Sequence, residues 1–75
     1  MRPEDIRHLV RQEPFEPFCL VLTDGTTYNI RHPELVIIER STLKIGSPAT
    51  NLPLPLSNRE VIVALLHIMR VEPIL

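Results

Sequence analysis

Three hydrophobic periods succeed one another along the chain. Over residues 2–13, "RPEDIRHLVRQE", the apolar positions Ile6, Leu9 and Val10 fall at i, i+3 and i+4 among charged neighbours, the spacing of one narrow helical face. Pro3 suits a first-turn position, Glu4 and Asp5 complement the positive end of the helix dipole, and Arg7 and Arg11 follow toward the other end. This pattern predicts a helix over about 2–13. So small a stripe cannot stabilise a free helix of about three turns, so the helix must dock on the rest of the chain. Pro14 and Pro17 stop it, and Phe15 and Phe18 supply bulk to plug one end of a small sheet.

From Phe18 the period falls to two: Phe18, Leu20 and Leu22 alternate with Cys19, Val21 and Thr23 before Asp24-Gly25 marks a turn. A two-residue Asp24-Gly25 loop would leave Phe18, Leu20 and Leu22 opposite Thr27, Asn29 and Arg31. A three-residue loop, Thr23-Asp24-Gly25 with Gly25 left-handed, instead puts them on one face with Thr26, Tyr28 and Ile30. The second register collects the large apolar groups and is the one expected. Cys19 and Val21 then point outward, where the helical stripe would cover them. In "LVIIERSTLKIG" a two-residue Arg40-Ser41 connection opposes Ile38 to Leu43 and Val36 to Ile45, with Glu39, Thr42 and Lys44 on the other face. Leu35 and Ile37 share that outer face and leave apolar surface in need of a cover.

The third pattern has no clean period. Residues 46–58, "GSPATNLPLPLSN", hold three prolines and read as an extended surface loop in which Leu52, Leu54 and Leu56 alternate with Pro53 and Pro55. The tail "SNREVIVALLHIMRVEPIL" admits two readings. Ser57 with Glu60 makes a capping box and no Gly or Pro interrupts 57–72, as one long helix would require. Val61, Ile62, Val63, Ile68 and Val71 are β-branched and apolar on nearly all sides, as two buried strands joined by a tight Ala64-Leu65-Leu66 turn would require. The strand reading is preferred. The fold class is then mainly β: an N-terminal helix and five or six short antiparallel strands in a strongly bent sheet or small open barrel. The alternative is α+β with 57–72 helical.

Composition narrows the function classes. The 75 residues, 44% hydrophobic and 23% charged, describe a single domain over 1–75: the helix, then a β region over about 17–73 containing the loop at 46–58. The chain is too apolar for a disordered segment. A net charge of −1 lacks the basic excess of a typical duplex binder. Cys19 is the single cysteine, so no intrachain disulfide forms. With no basic segment leading into an apolar run and no membrane-length apolar stretch, the default expectation is a cytoplasmic protein.

Candidate chemistry is sparse. His32-Pro33-Glu34 pairs an imidazole with a carboxylate, yet adjacent positions of an extended chain point apart and Pro33 holds His32 extended. The corner reads first as the place where one strand ends and the next begins, with His32 and Glu34 kept as candidate functional residues. His8, Cys19, His32 and His67 match no metal-ligand spacing, and no base is placed to activate Cys19. No catalytic residue, metal or cofactor is assigned. Arg31, Arg40, Lys44, Arg59 and Arg70 are interspersed with Glu34, Glu39, Glu60 and Glu72, which describes a mixed surface rather than a phosphate-binding rim.

The run "PFEPFCLVLTDGTTYNIRHPELVII" with the late "VIVALLHIMRVEP" resembles a group of short bacterial proteins that carry Pro-Phe-x-Pro-Phe, Asp-Gly and His-Pro-Glu elements and end in a leucine-rich turn and an Ile-x-x-(Ile/Val)-Glu strand. The positions that carry it are Pro14, Phe15, Pro17, Phe18, Asp24, Gly25, His32, Pro33, Glu34, Leu65, Leu66, Ile68, Val71 and Glu72. The loop at 46–58 departs from the pattern, and the resemblance implies no activity. The order of helix and short strands is also similar in architecture to SH3-like and Sm-like small barrels, the latter known for ring assemblies and RNA binding; that similarity is of fold alone. The function expected is a noncatalytic protein-interaction module that self-associates through sheet edges, with Leu35, Ile37, Leu52 and Leu54 as its surface. It would be a homo-oligomer, with another protein as a possible partner. The alternative is a Sm-like nucleic-acid-binding protein.

Overall fold

Helix α1 of the computed structural model, which describes residues 1–46 and 60–74, runs Pro3–Val10. It begins where the sequence pattern places it: the Arg2 backbone N–H donates to the Asp5 carboxylate at 3.1 Å, and the Asp5 N–H donates to the Arg2 carbonyl at 3.1 Å, so two groups at the helix start are satisfied locally. It ends three residues sooner than the expected 2–13. Beyond Val10 come Arg11, Gln12 and Glu13, which offer no apolar group to bury, and the chain instead enters the Pro14–Pro17 bend. An eight-residue helix holds together only by packing. Ile6 is fully buried in the core, and Leu9 and Val10 pack against the same cluster. Burying one such side chain contributes about 1.5–3 kcal/mol.

Six strands follow among the described residues: β1 Phe18–Leu22, β2 Thr27–Ile30, β3 Val36–Ile38, β4 Thr42–Ile45, β5 Val61–Ala64 and β6 Ile68–Pro73. They form two antiparallel three-stranded sheets, ordered β2-β1-β6 and β3-β4-β5. Single turns of 3-10 helix at Pro33–Leu35 and Leu65–His67 carry the chain from the first sheet to the second and back.

The first hairpin takes the three-residue loop. Phe18 faces Ile30 and Leu20 faces Tyr28, the Leu22 N–H donates to the Thr26 carbonyl at 2.8 Å, and Gly25 has φ +90°, a conformation that only glycine adopts without strain. The second hairpin closes on Arg40-Ser41, with Ile38 facing Leu43 and Val36 facing Ile45. The helical alternative for 57–72 is incorrect over its described part. Residues 61–64 and 68–73 are strands, and the turn between them lies at 65–67, one residue later than 64–66. Their β-branched residues prefer the pleated surface to a helix that would freeze χ1.

The core lies between the sheets. Phe18, Leu20, Leu22, Ile30 and Ile68 of the first sheet meet Leu43, Ile45 and Val63 of the second, with Leu65 from the returning turn and Ile6 from α1. The helix therefore covers the Phe18–Leu20 face and not Cys19 and Val21 as expected. The inner face holds the larger apolar area, and a docked helix buries most there. Phe15 packs against the cluster with its ring centroid 6.0 Å from that of Phe18. The expected loop, with Leu52 and Leu54, lies outside the described residues apart from Gly46.

Candidate functional site

The His32-Pro33-Glu34 corner is the first place to look for chemistry. His32 is extended at φ −140° and ψ 134°, and Pro33 opens a 3-10 turn closed by the Leu35 N–H donating to the His32 carbonyl at 3.1 Å. Both His32 and Glu34 are exposed. Neither lines the clefts that run beside α1 or between the first hairpin and β5. The corner redirects backbone between sheets. Its effect on Leu35 was hidden in the sequence: the turn breaks the period of two, so Leu35 does not stand on the outer face beside Ile37. It packs against the core, and its carbonyl accepts the Gly46 N–H at 2.7 Å.

Among the described residues, no three His, Cys, Asp or Glu side chains stand close enough to share a metal ion. Asp24 has, among the described residues, an acidity that clearly departs from normal. It accepts the Thr26 backbone N–H at 2.9 Å, and that bond, the Thr26 hydroxyl and the nearby His67 hold its pKa below the usual 3.8. These contacts belong to the turn. Cys19 is half-buried on the face away from α1, its thiol 3.7 Å from the Leu20 carbonyl.

What remains is apolar surface. Ile37 is 55% exposed and Ile62 63% exposed. Both lie directly across from Lys44, one from β3 and one from β5, so the three form a single cross-strand row on the outer face of the second sheet. On the same strands Val36, Ile38, Leu43, Ile45, Val61 and Val63 point inward to the core. Alternation therefore commits Ile37 and Ile62 to the outside. Leu66, 75% exposed, and Met69, 52% exposed, flank the return into β6.

The sequence pointed to Ile37 and missed Ile62. "VIVALL" is apolar at every position, so nothing in it marks the side that faces water; the pairing of β5 with β4 does. Ile62 also sits on an edge. Among the described residues β5 pairs with β4 alone, and β6 with β1 alone. Beside β5 lies a cleft of about 350 Å³, with Leu22, Thr23, Asp24 and Tyr28 of the first hairpin on one side and Val61, Ile62, Val63, Ala64 and His67 on the other. No helix among the described residues is long and apolar enough to cross a membrane.

No protein-family model, no curated protein and no solved structure matches this chain.

Proposed function

We propose that this protein is a noncatalytic interaction module that associates with copies of itself through the edges of its sheets. The observation that carries the proposal is the row Ile37–Lys44–Ile62, two exposed isoleucines on a sheet whose β5 edge has no partner among the described residues. An unpaired edge offers backbone donors and acceptors to another strand, and apolar side chains beside it reward the pairing.

In this reading the two sheets are halves of one small open barrel of the SH3-like and Sm-like kind, with the 3-10 turns as the points where strands bend from one half to the other. The barrel core holds the shape and an unpaired sheet edge, with the exposed isoleucines beside it, meets the partner.

The test is solution mass by light scattering over a dilution series at low and high salt. A multiple of the 8.6 kDa chain that dissociates on dilution and survives added salt is the expected result, since burial of isoleucine is not screened. A monomer throughout would overturn the proposal. So would a species that binds RNA with affinity falling steeply as salt rises, which would move the assignment to the Sm-like nucleic-acid-binding alternative.

A further inference from the structure

α1 does not cover the whole inner face of the first sheet. Val71 stands directly opposite Leu20 on that face, yet it is half-buried where Leu20 is fully buried. The helix stops at Val10 and the chain leaves through the Pro14–Pro17 bend. Between α1 and the end of β6 a cleft of about 480 Å³ stays open, walled by the apolar side chains of Leu9, Phe18, Val71 and Pro73. A volume of this size falls within the range of about 300–1,000 Å³ that ligand pockets occupy.

The rim of this cleft carries one sign of charge. Glu4 and Asp5 from the first turn of α1 and Glu16 from the bend line it, and all three are exposed. Among the described residues no lysine or arginine lines it. His8 shares the rim, and the Met1 ammonium donates at 3.3 Å to the Leu65 carbonyl. Two other clefts lack this asymmetry: Arg11 stands with Glu13 at one, and His67 with Asp24 at the other. An apolar wall beneath three carboxylates is complementary to an apolar group carried beside a cation. The same rim repels phosphate, which sets RNA and anionic lipid aside as occupants of this cleft.

We propose that the cleft between α1 and β6 binds a short extended segment of another protein, in which a leucine-sized side chain is flanked by lysine or arginine. The apolar side chain lies against Leu9, Val71 and Pro73, and the flanking cations meet Glu4 and Glu16. Asp5 contributes charge while its carboxylate accepts the Arg2 backbone N–H. Apolar burial supplies affinity here, and the carboxylates select the sign and register of the segment. This surface belongs to the first sheet and α1, so it adds a partner to the self-association proposed above and does not depend on it.

The test is a titration of the full isotope-labelled chain with the peptide acetyl-Lys-Leu-Lys-Leu-Lys-amide, followed by backbone amide shifts. Saturable shifts confined to α1, the bend and Ile68–Pro73 are expected, with affinity falling severalfold as salt rises. A peptide with both leucines replaced by serine, and one with the lysines replaced by glutamate, are each expected to lose saturable binding. The double variant Glu4→Gln, Glu16→Gln changes two exposed positions without changing their shape. It is expected to bind the first peptide about tenfold more weakly, with circular dichroism unchanged. The proposal is overturned by an absence of saturable shifts, or by shifts centred on the second sheet. Equal binding of the serine peptide, which would reveal charge attraction alone, or undiminished binding by the double variant overturns it as well.

Discussion

β5 and β6 come from one apolar stretch, separated by a single turn of 3-10 helix, and meet solvent in opposite ways. Both leave one side unpaired among the described residues. β6 carries a bulge at Met69, a charged pair and a terminal proline; β5 carries an isoleucine 63% exposed and no such feature. Val61–Ala64 is wholly apolar whereas Ile68–Pro73 carries Arg70 and Glu72, so the two edges differ in composition as well as in regularity. β6 is defended by irregularity of register and by where charge and proline fall.

The comparison can be broken or sharpened by substitution, and the largest effects lie beneath the edges. Leu20, central in the sheet that bears β6, and Leu43, central in the sheet that bears β5, are both fully buried. Either Leu→Ala change is expected to cost about 2–5 kcal/mol. If the edges rest on one shared core, urea melts of both variants will show a single transition with coincident fluorescence and backbone signals. Two separated transitions would mean that the sheets stand independently and that the edges must be compared as parts of separate units.

The hairpins beside each edge differ next. Gly25→Ala forces a side chain into φ +90° with nothing nearby to relieve it, and a loss of about 1–2 kcal/mol is expected. Gly46→Ala, just past the end of β4, meets Leu35 only at ordinary contact distance and should lower the melting midpoint much less. Equal losses would show that turn strain does not distinguish the sheets.

Removing the defences of β6 sharpens the contrast directly. The double variant Arg70→Val, Pro73→Val makes this edge resemble β5. The exposed ion pair it deletes is worth at most about 1 kcal/mol, so the fold should persist while sedimentation shows species larger than the wild type. An unchanged distribution would mean that the bulge alone guards β6.

The smallest effect is at Asp24. Its folded pKa lies below the unfolded value near 3.8, so it contributes stability that is present above that value and lost as pH falls through the lower, folded one. Thermal melts between neutral pH and strongly acidic buffer should therefore show less acid destabilisation for Asp24→Asn, together with lower stability at neutral pH.

Much of the architecture could be read from the residues. Both hairpin registers followed from asking which loop length gathers the large side chains, because burial discriminates sharply when a slip of one residue turns every side chain over. The β-branched residues of the tail outweighed the Ser57–Glu60 capping signal, since one cap supplies less than a packed strand. The misses have a common cause: they depend on contacts between elements. Leu35 turned inward because the 3-10 turn at Pro33 shifts the alternation by a fraction that no period records. The helix docked on the inner face because the second sheet also needed a cover there. Ile62 stayed invisible within an unbroken apolar run until β4 fixed its facing, and Leu52 and Leu54 lie outside the described residues.

The pairing of Phe18 with Pro73 and of Leu20 with Val71 also sets a clock. β1 is central in its sheet, yet its second neighbour comes from the far side of the sequence, after all three strands of the other sheet. A chain emerging from a ribosome can close both hairpins early, since their partners are local, while β1 waits with one flank bare until β6 arrives. Pairing of strands so far apart in the sequence is slow compared with closing a local hairpin. During that interval the strand that waits is an edge as inviting as β5, so the guarded β6 edge doubles as the seal that ends the molecule's most aggregation-prone stage.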